Sequence, residues 1–389
     1  MRASGGRRRS GCGAGRPGGG HHRGMPRRPA PRAAVAVAVV TAVLAVAVFA
    51  LHPAVTATAK SAFVLDGAFG GPLPRPWAPA VERSERAVAG VVVDRYAPPG
   101  GAPPVLLVPG AAPAGRDDER VVSLASSLAA AGREVVVPEL RLYAAELDVD
   151  DVDRVVRVAA HLCRGGGGLV LLGFSYGGSL ALVAAADDRV AGCIDLVATF
   201  GAYGDLVGVI QAAVTGVSVV DGEVHPWEAA DGSVVRRVVR DAAARLVPEE
   251  ERAPLRRALE QQDPGGLPAA ARLVYRMVTT DDPALVAELA GRLPPPGDAL
   301  VETFSPVDVA GEVEADVLAA HALDDPAVPV AELLRLQRAF PGARVATLGS
   351  FEHVDLSTDD GLGPLVRDLA VAGAFVQALL RPQEDWPWE

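Results

Sequence analysis

Gly173-Phe174-Ser175-Tyr176-Gly177 sets a serine between two glycines, each two residues away. The apolar run Leu169-Val170-Leu171-Leu172 precedes it and the small-residue stretch 178–186 follows. Strand, pentapeptide and helix in that order put the serine on a sharp, strained turn, where glycines let the two backbones approach closely. The hydroxyl then stands above the sheet with a helix N-terminus beneath it. A serine so placed suits nucleophilic acyl transfer. It needs a base within hydrogen-bond reach, and the base needs an orienting carboxylate.

Outside residues 1–59 only four histidines can supply the base: His161, His225, His321 and His353. His161 falls in a helical pattern ahead of the serine's strand and reads as a surface or packing residue. His225 lies in the irregular-looking segment 221–227. His321 ends the apolar strand Asp316–Ala320, where a hydrogen-bonded structural histidine is expected. His353 follows the strand Arg344–Leu348 in the loop Gly349-Ser350-Phe351-Glu352-His353, where a base can swing over the serine. His353 is therefore the expected base. The segment after His321, Ala322-Leu323-Asp324-Asp325-Pro326-Ala327-Val328-Pro329, offers the acid; Asp205 is a reserve, and Glu352 and Asp355 stand too near His353 to be preferred.

At this point the chain resembles the α/β-hydrolase superfamily. Many members carry a strand, then H-G-x-x-D-x-x-V-P, then a helix; residues His321 to Pro329 match, with Ala322 in place of the glycine. The resemblance implies that Asp325 is the acid and that Asp324 faces solvent. The order Ser175, Asp325, His353 is also the order of that superfamily.

An oxyanion hole needs two backbone N–H groups aimed at the developing charge. Tyr176, the residue after the serine, supplies one. The other is expected from the loop after the strand Val105–Val108, which runs into Pro109-Gly110-Ala111-Ala112. Similar hydrolases have H-G-x here. This chain keeps the glycine and a free N–H on Ala111, with Ala112 as the alternative donor.

These residues need a sheet. After an apolar run from Ala87 to Tyr96, read as an edge strand, strands at 105–108, 134–137 and 169–172 alternate with helices near 117–131 and 149–163. That alternation predicts a mostly parallel sheet with helices on both faces, whose site lies at the strands' C-terminal ends. The expected core is 86–205 with 306–381. Between 206 and 305 the alternation fails, and periodic segments such as Val234–Leu246, Arg252–Gln261 and Pro268–Met277 read as helices. The resemblance implies a helical cap there, inserted after the sixth strand. Residues 60–85, with prolines at 72, 74, 76 and 79, read as a linker, and 382–389 as a tail.

The leader, 1–59, holds nine arginines and no acidic residue, which leaves 28 basic and 48 acidic side chains beyond it. A body this acidic argues against nucleic acid as a partner. Residues 33–51 are uncharged and follow an arginine-rich stretch, the layout of a signal anchor or secretory signal. Ala57-Thr58-Ala59 offers a cleavage site, and Met25 an alternative start. The expectation is a single N-terminal membrane anchor with the acidic domain outside, the alternative being secretion after cleavage near Ala59. Cys163 and Cys193 sit in apolar elements, where buried free thiols are expected, although an oxidising compartment would allow pairing. No metal-ligand spacing occurs, and the mechanism expected needs no cofactor. These features predict a serine hydrolase acting on carboxylic esters or thioesters, with a small-molecule acyl substrate as its partner. Peptide cleavage, acyl transfer or non-catalytic binding on the same fold are the alternatives.

Overall fold

The computed structural model describes residues 53–68, 79–98, 102–112, 114–144, 147–166, 168–228, 239–240, 242–352, 355–356 and 362–380. In chain order, α1 (Pro53–Ala68) is followed by strands β1 (Glu82–Val88), β2 (Val91–Ala97) and β3 (Pro104–Val108). Helix α2 (Glu119–Ala130), β4 (Glu134–Pro138), α3 (Asp150–Cys163), β5 (Leu169–Phe174), α4 (Tyr176–Ala185) and β6 (Ile194–Phe200) continue the alternation. An insert then contains α5 (Leu206–Thr215), the hairpin β7 (Val217–Val220) with β8 (Glu223–Pro226), and helices α6 (Glu249–Gln261), α7 (Ala269–Thr279), α8 (Pro283–Ala290) and α9 (Gly297–Thr303). The chain returns through β9 (Asp316–Ala322), α10 (Ala331–Ala339), β10 (Arg344–Leu348), the two-residue strands β11 (Phe351–Glu352) and β12 (Asp355–Leu356), and α11 (Leu362–Leu380).

Eight strands form one sheet in the order β1-β2-β4-β3-β5-β6-β9-β10. Only β2 runs against the others: it pairs antiparallel with β1 and β4, and every other neighbouring pair is parallel. The central strands read Pro104-Val-Leu-Leu-Val108 and Leu169-Val-Leu-Leu-Gly-Phe174 because both of their faces are covered. Leu106, Val108, Leu169 and Leu171 pack on one side with α3 and α4. Leu107, Val170, Leu172 and Leu196 pack on the other, with residues of α1, α2 and α11.

Four expectations change. Residues 60–68, read as linker, are the second half of α1; the prolines that suggested a linker begin only at residue 72. Phe63 and Val64 are buried, α1 packs against both α2 and α11, and Ser123 Oγ donates to the Gly67 carbonyl. The edge strand read from Ala87 to Tyr96 is two strands. Ala89 and Gly90 take positive φ values of 49° and 80° and turn the chain between β1, which begins at Glu82, and β2. Cys163 and Cys193 form a disulfide with their Cα atoms 6.0 Å apart. It ties the end of α3 to the turn before β6, so neither is a free thiol.

The segment around His225 is the β7–β8 hairpin rather than irregular chain. The apolar run 33–51 and most of the leader lie outside the described residues, as does the tail 382–389. Among the described residues no helix is long and apolar enough to cross a membrane.

Candidate active site

Ser175 occupies the turn between β5 and α4 with φ 51° and ψ −131°, a region L-residues rarely adopt. Several contacts hold it there. Its N–H donates to the Phe200 carbonyl of β6 at 2.8 Å. Ser179, one turn into α4, donates to the Tyr203 carbonyl at 2.8 Å and accepts from the Tyr203 N–H at 3.0 Å, fixing the helix start against the loop after β6. The flanking glycines are required by closeness. A Cβ on Gly177 would lie 2.2 Å from the Val108 carbonyl oxygen, and one on Gly173 2.4 Å from the Gly178 Cα.

The Pro109-Gly110-Ala111-Ala112 turn after β3 lies directly against the serine. A Cβ on Gly110 would sit 2.9 Å from Ser175 Cβ, 2.9 Å from the Phe174 carbonyl oxygen and 3.5 Å from Ser175 Oγ. Tyr176 is the first residue of α4, so its N–H has no intrahelical acceptor and the helix's positive end points at the same spot. Ala111 is exposed beside Ser175, and Ala112 is buried, its carbonyl accepting from Gly115 N–H at 2.7 Å. The Tyr176 ring packs edge-on to Tyr203 at 4.9 Å, and burial pushes its phenol up to about 12, so it stays neutral.

Asp325 follows β9 in the loop that leads to α10. Its carboxylate is buried, and Oδ1 accepts from the N–H groups of Ala327 (2.8 Å) and Val328 (2.9 Å). Oδ2 lies 3.3 Å from His321 Nε2, which also lies 3.0 Å from the Val328 carbonyl. Two backbone N–H donors and the His321 ring thus hold this buried carboxylate in place. His321 does not line the cavity at Ser175; it serves the acid loop, in keeping with the structural role expected of it. Trp227, just after β8, donates its indole N–H to the Asp325 carbonyl at 2.8 Å and so ties the insert to this loop. Asp324 is exposed.

The expected base, His353, lies outside the described residues. On either side of it Phe351 pairs with Leu356 and Glu352 with Asp355. The Ser350 N–H donates to buried Asp368 Oδ2 of α11 at 2.7 Å. Phe200 stacks between Phe174 (6.3 Å) and Phe351 (5.5 Å), an aromatic row from the serine's strand to the segment that carries His353. The reserve acid, Asp205, is engaged elsewhere. It caps α5 by accepting from Val207 N–H at 2.9 Å and lies 3.7 Å from Arg335 Nη1.

Ser175, Tyr176 and Ala111 line one cavity of about 970 Å3, whose walls are mostly apolar. The insert reaches it through Val209 and Val239, the acid loop through Ala327. Sequence reasoning missed the contribution of α1, whose Val64, Leu65 and Ala68 also face it. The signal was the run Phe63-Val64-Leu65, overlooked beside the prolines that follow. Among the described residues no three His, Cys, Asp or Glu side chains converge to hold a metal ion.

An eight-stranded sheet in this order with β2 alone reversed, and a strained serine between the fifth strand and its helix, define the α/β-hydrolase fold. No family model matches the chain, and no curated protein matches it. Among solved structures it is similar to an acylaminoacyl peptidase of Pyrococcus horikoshii (11% identity over 81% of this chain and 43% of that one, TM-score 0.46). It is also similar to an esterase of the bacterial hormone-sensitive lipase family (15%, 83% and 90%, TM-score 0.46). A third is a meta-cleavage product hydrolase of Pseudomonas fluorescens (18%, 76% and 98%, TM-score 0.41). This chain spans less than half the length of the peptidase.

Proposed function

We propose that the protein is a serine hydrolase that cleaves carboxylic esters or thioesters through an acyl-enzyme at Ser175. The observation that carries this reading is the strained Ser175, set against the Gly110–Ala111 turn and lining a mostly apolar cavity. Ser175 Oγ attacks the acyl carbon and His353 takes its proton, while Asp325 orients the imidazole and stabilises its cation. The carbonyl oxygen gathers charge between the N–H groups of Tyr176 and Ala111. Collapse of this intermediate returns the proton to the departing alcohol or thiol. Water, activated by His353, then releases the acid and restores the serine.

A peptidase acting at a substrate terminus would need a charged anchor; the charged residues lining the cavity among the described residues are Asp118, Glu119 and Arg120, at the start of α2. As to location, the Cys163–Cys193 disulfide supports placing the domain in an oxidising compartment outside the cytoplasm, held by the apolar segment 33–51 or released near Ala59. The test is rapid mixing of the full chain with p-nitrophenyl butyrate. The reading expects p-nitrophenol release and, after acid quench, butyryl on the peptide that bears Ser175. Modification of another residue, or none with turnover intact, would overturn the acyl-enzyme route.

A further inference from the structure

In this fold α1 is an additional wall. It packs against α2 on one side and α11 on the other, over the face of the sheet that carries Leu107 and Leu172. The cavity that Ser175 lines is also lined by α1. Leu65 and Ala68 of α1, Leu124 of α2, Leu172 of β5, and Phe375 and Val376 of α11 all line it. The insert contributes only Val209 and Val239 among the described residues.

We propose that this cavity is the acyl-chain pocket and that the substrate class is esters or thioesters of long-chain fatty acids. The assignment rests on the hydrolase reading for the chemistry at Ser175; the chain pocket is argued from the cavity itself. Its volume is at the upper end of the roughly 300–1,000 Å3 of small-molecule sites, more than an acetyl or butyryl group requires. Its lining is mostly apolar, while its charged lining residues, Asp118, Glu119 and Arg120, sit at the start of α2, half-buried or exposed. An alkyl chain gains from such a wall without asking for a hydrogen bond. A polar acyl group would leave its donors and acceptors unpaired. Each methylene buried there is worth about fourfold in affinity or kcat/KM.

The experiment has two arms on the full chain. In the first, kcat/KM is measured for p-nitrophenyl acetate, butyrate, octanoate, laurate and palmitate. The proposal expects a rise of at least tenfold from butyrate to octanoate and a further rise to laurate. Leu65→Trp should lower the laurate-to-butyrate ratio at least tenfold, and Val376→Phe should do the same from α11. In the second, cis-parinaric acid is titrated into Ser175→Ala and followed by its fluorescence. Saturable binding is expected, weakened at least tenfold when Leu65→Trp is added.

Turnover of all the esters with a flat or falling chain-length profile would overturn the pocket while leaving the hydrolase reading intact. Binding of the fatty acid without turnover of any ester would keep the pocket and remove the chemistry. If neither wall substitution changes the profile in a protein that melts like wild type, α1 is not the wall.

Discussion

His321 Nε2 lies 3.3 Å from Asp325 Oδ2, with both side chains sealed from solvent at the end of β9. One histidine at the strand's end thus orients the acid expected to orient another. His321→Leu should lower kcat for p-nitrophenyl butyrate by about 10- to 100-fold, the size of one lost hydrogen bond to a charged group. Asp325→Asn should cost more, on the order of 10³- to 10⁴-fold. His321→Gln, which can still donate, should recover part of the loss. Equal activity of His321→Leu and wild type would show that the two backbone N–H donors position Asp325 unaided.

Gly110 has no room for a side chain. Its Cβ would meet both Ser175 Cβ and the Phe174 carbonyl oxygen at 2.9 Å. Gly110→Val should push the turn off the serine and cost roughly 100-fold in kcat, the size of one lost oxyanion donor. A thermal melt beside the kinetics separates this from unfolding. A folded variant with wild-type kcat would mean that the turn plays no part in the reaction.

The Cys163–Cys193 bridge closes a loop with a sequence separation of 30. Chain-entropy arguments give such a cross-link about 3–4 kcal/mol. Cys163→Ser with Cys193→Ser should therefore lower the urea midpoint clearly, with the esterase kcat of the folded protein little altered. An unchanged midpoint would mean that strain or residual structure offsets the cross-link.

Glu332 is buried at the start of α10, where it accepts from the N–H groups of Gly204 (3.1 Å) and Asp205 (3.0 Å) and pairs with Arg335 Nε at 3.0 Å. Burial raises its carboxyl to about 7, against the pull of Arg335. The folded value lies above the unfolded one, so its stabilising contribution is complete below about pH 4.5 and is lost as pH rises through about 7. Glu332→Gln lacks that loss. Its melting temperature relative to wild type should thus rise from pH 5 to pH 8, and a relative melting temperature that falls over that range would contradict the assignment.

Much of the sheet was legible because its strands are continuous apolar runs broken by glycine and helical periodicity, as in 169–186. Ser175 could be read from its glycines, and the backbone contacts of Gly173 and Gly177 supply the physical reason. What stayed hidden depends on residues far apart in sequence. The disulfide joins two apolar elements whose approach only the fold creates. Helix α1 is held by α2 and α11, and little in residues 60–68 distinguishes a helix from the linker that the later prolines suggest. The hairpin β1–β2 was blurred because β1 is a charged, exposed edge, Glu82-Arg83-Ser84-Glu85-Arg86, with no apolar alternation to mark it.

The central claim is that Ser175 is an activated nucleophile. Treating the full chain with a fluorophosphonate probe, beside Ser175→Ala, tests it most directly. Stoichiometric labelling of the wild type is expected, mapped to the peptide carrying Ser175, and none of the variant. A folded wild-type protein that resists the probe, or a variant labelled equally well, would contradict it.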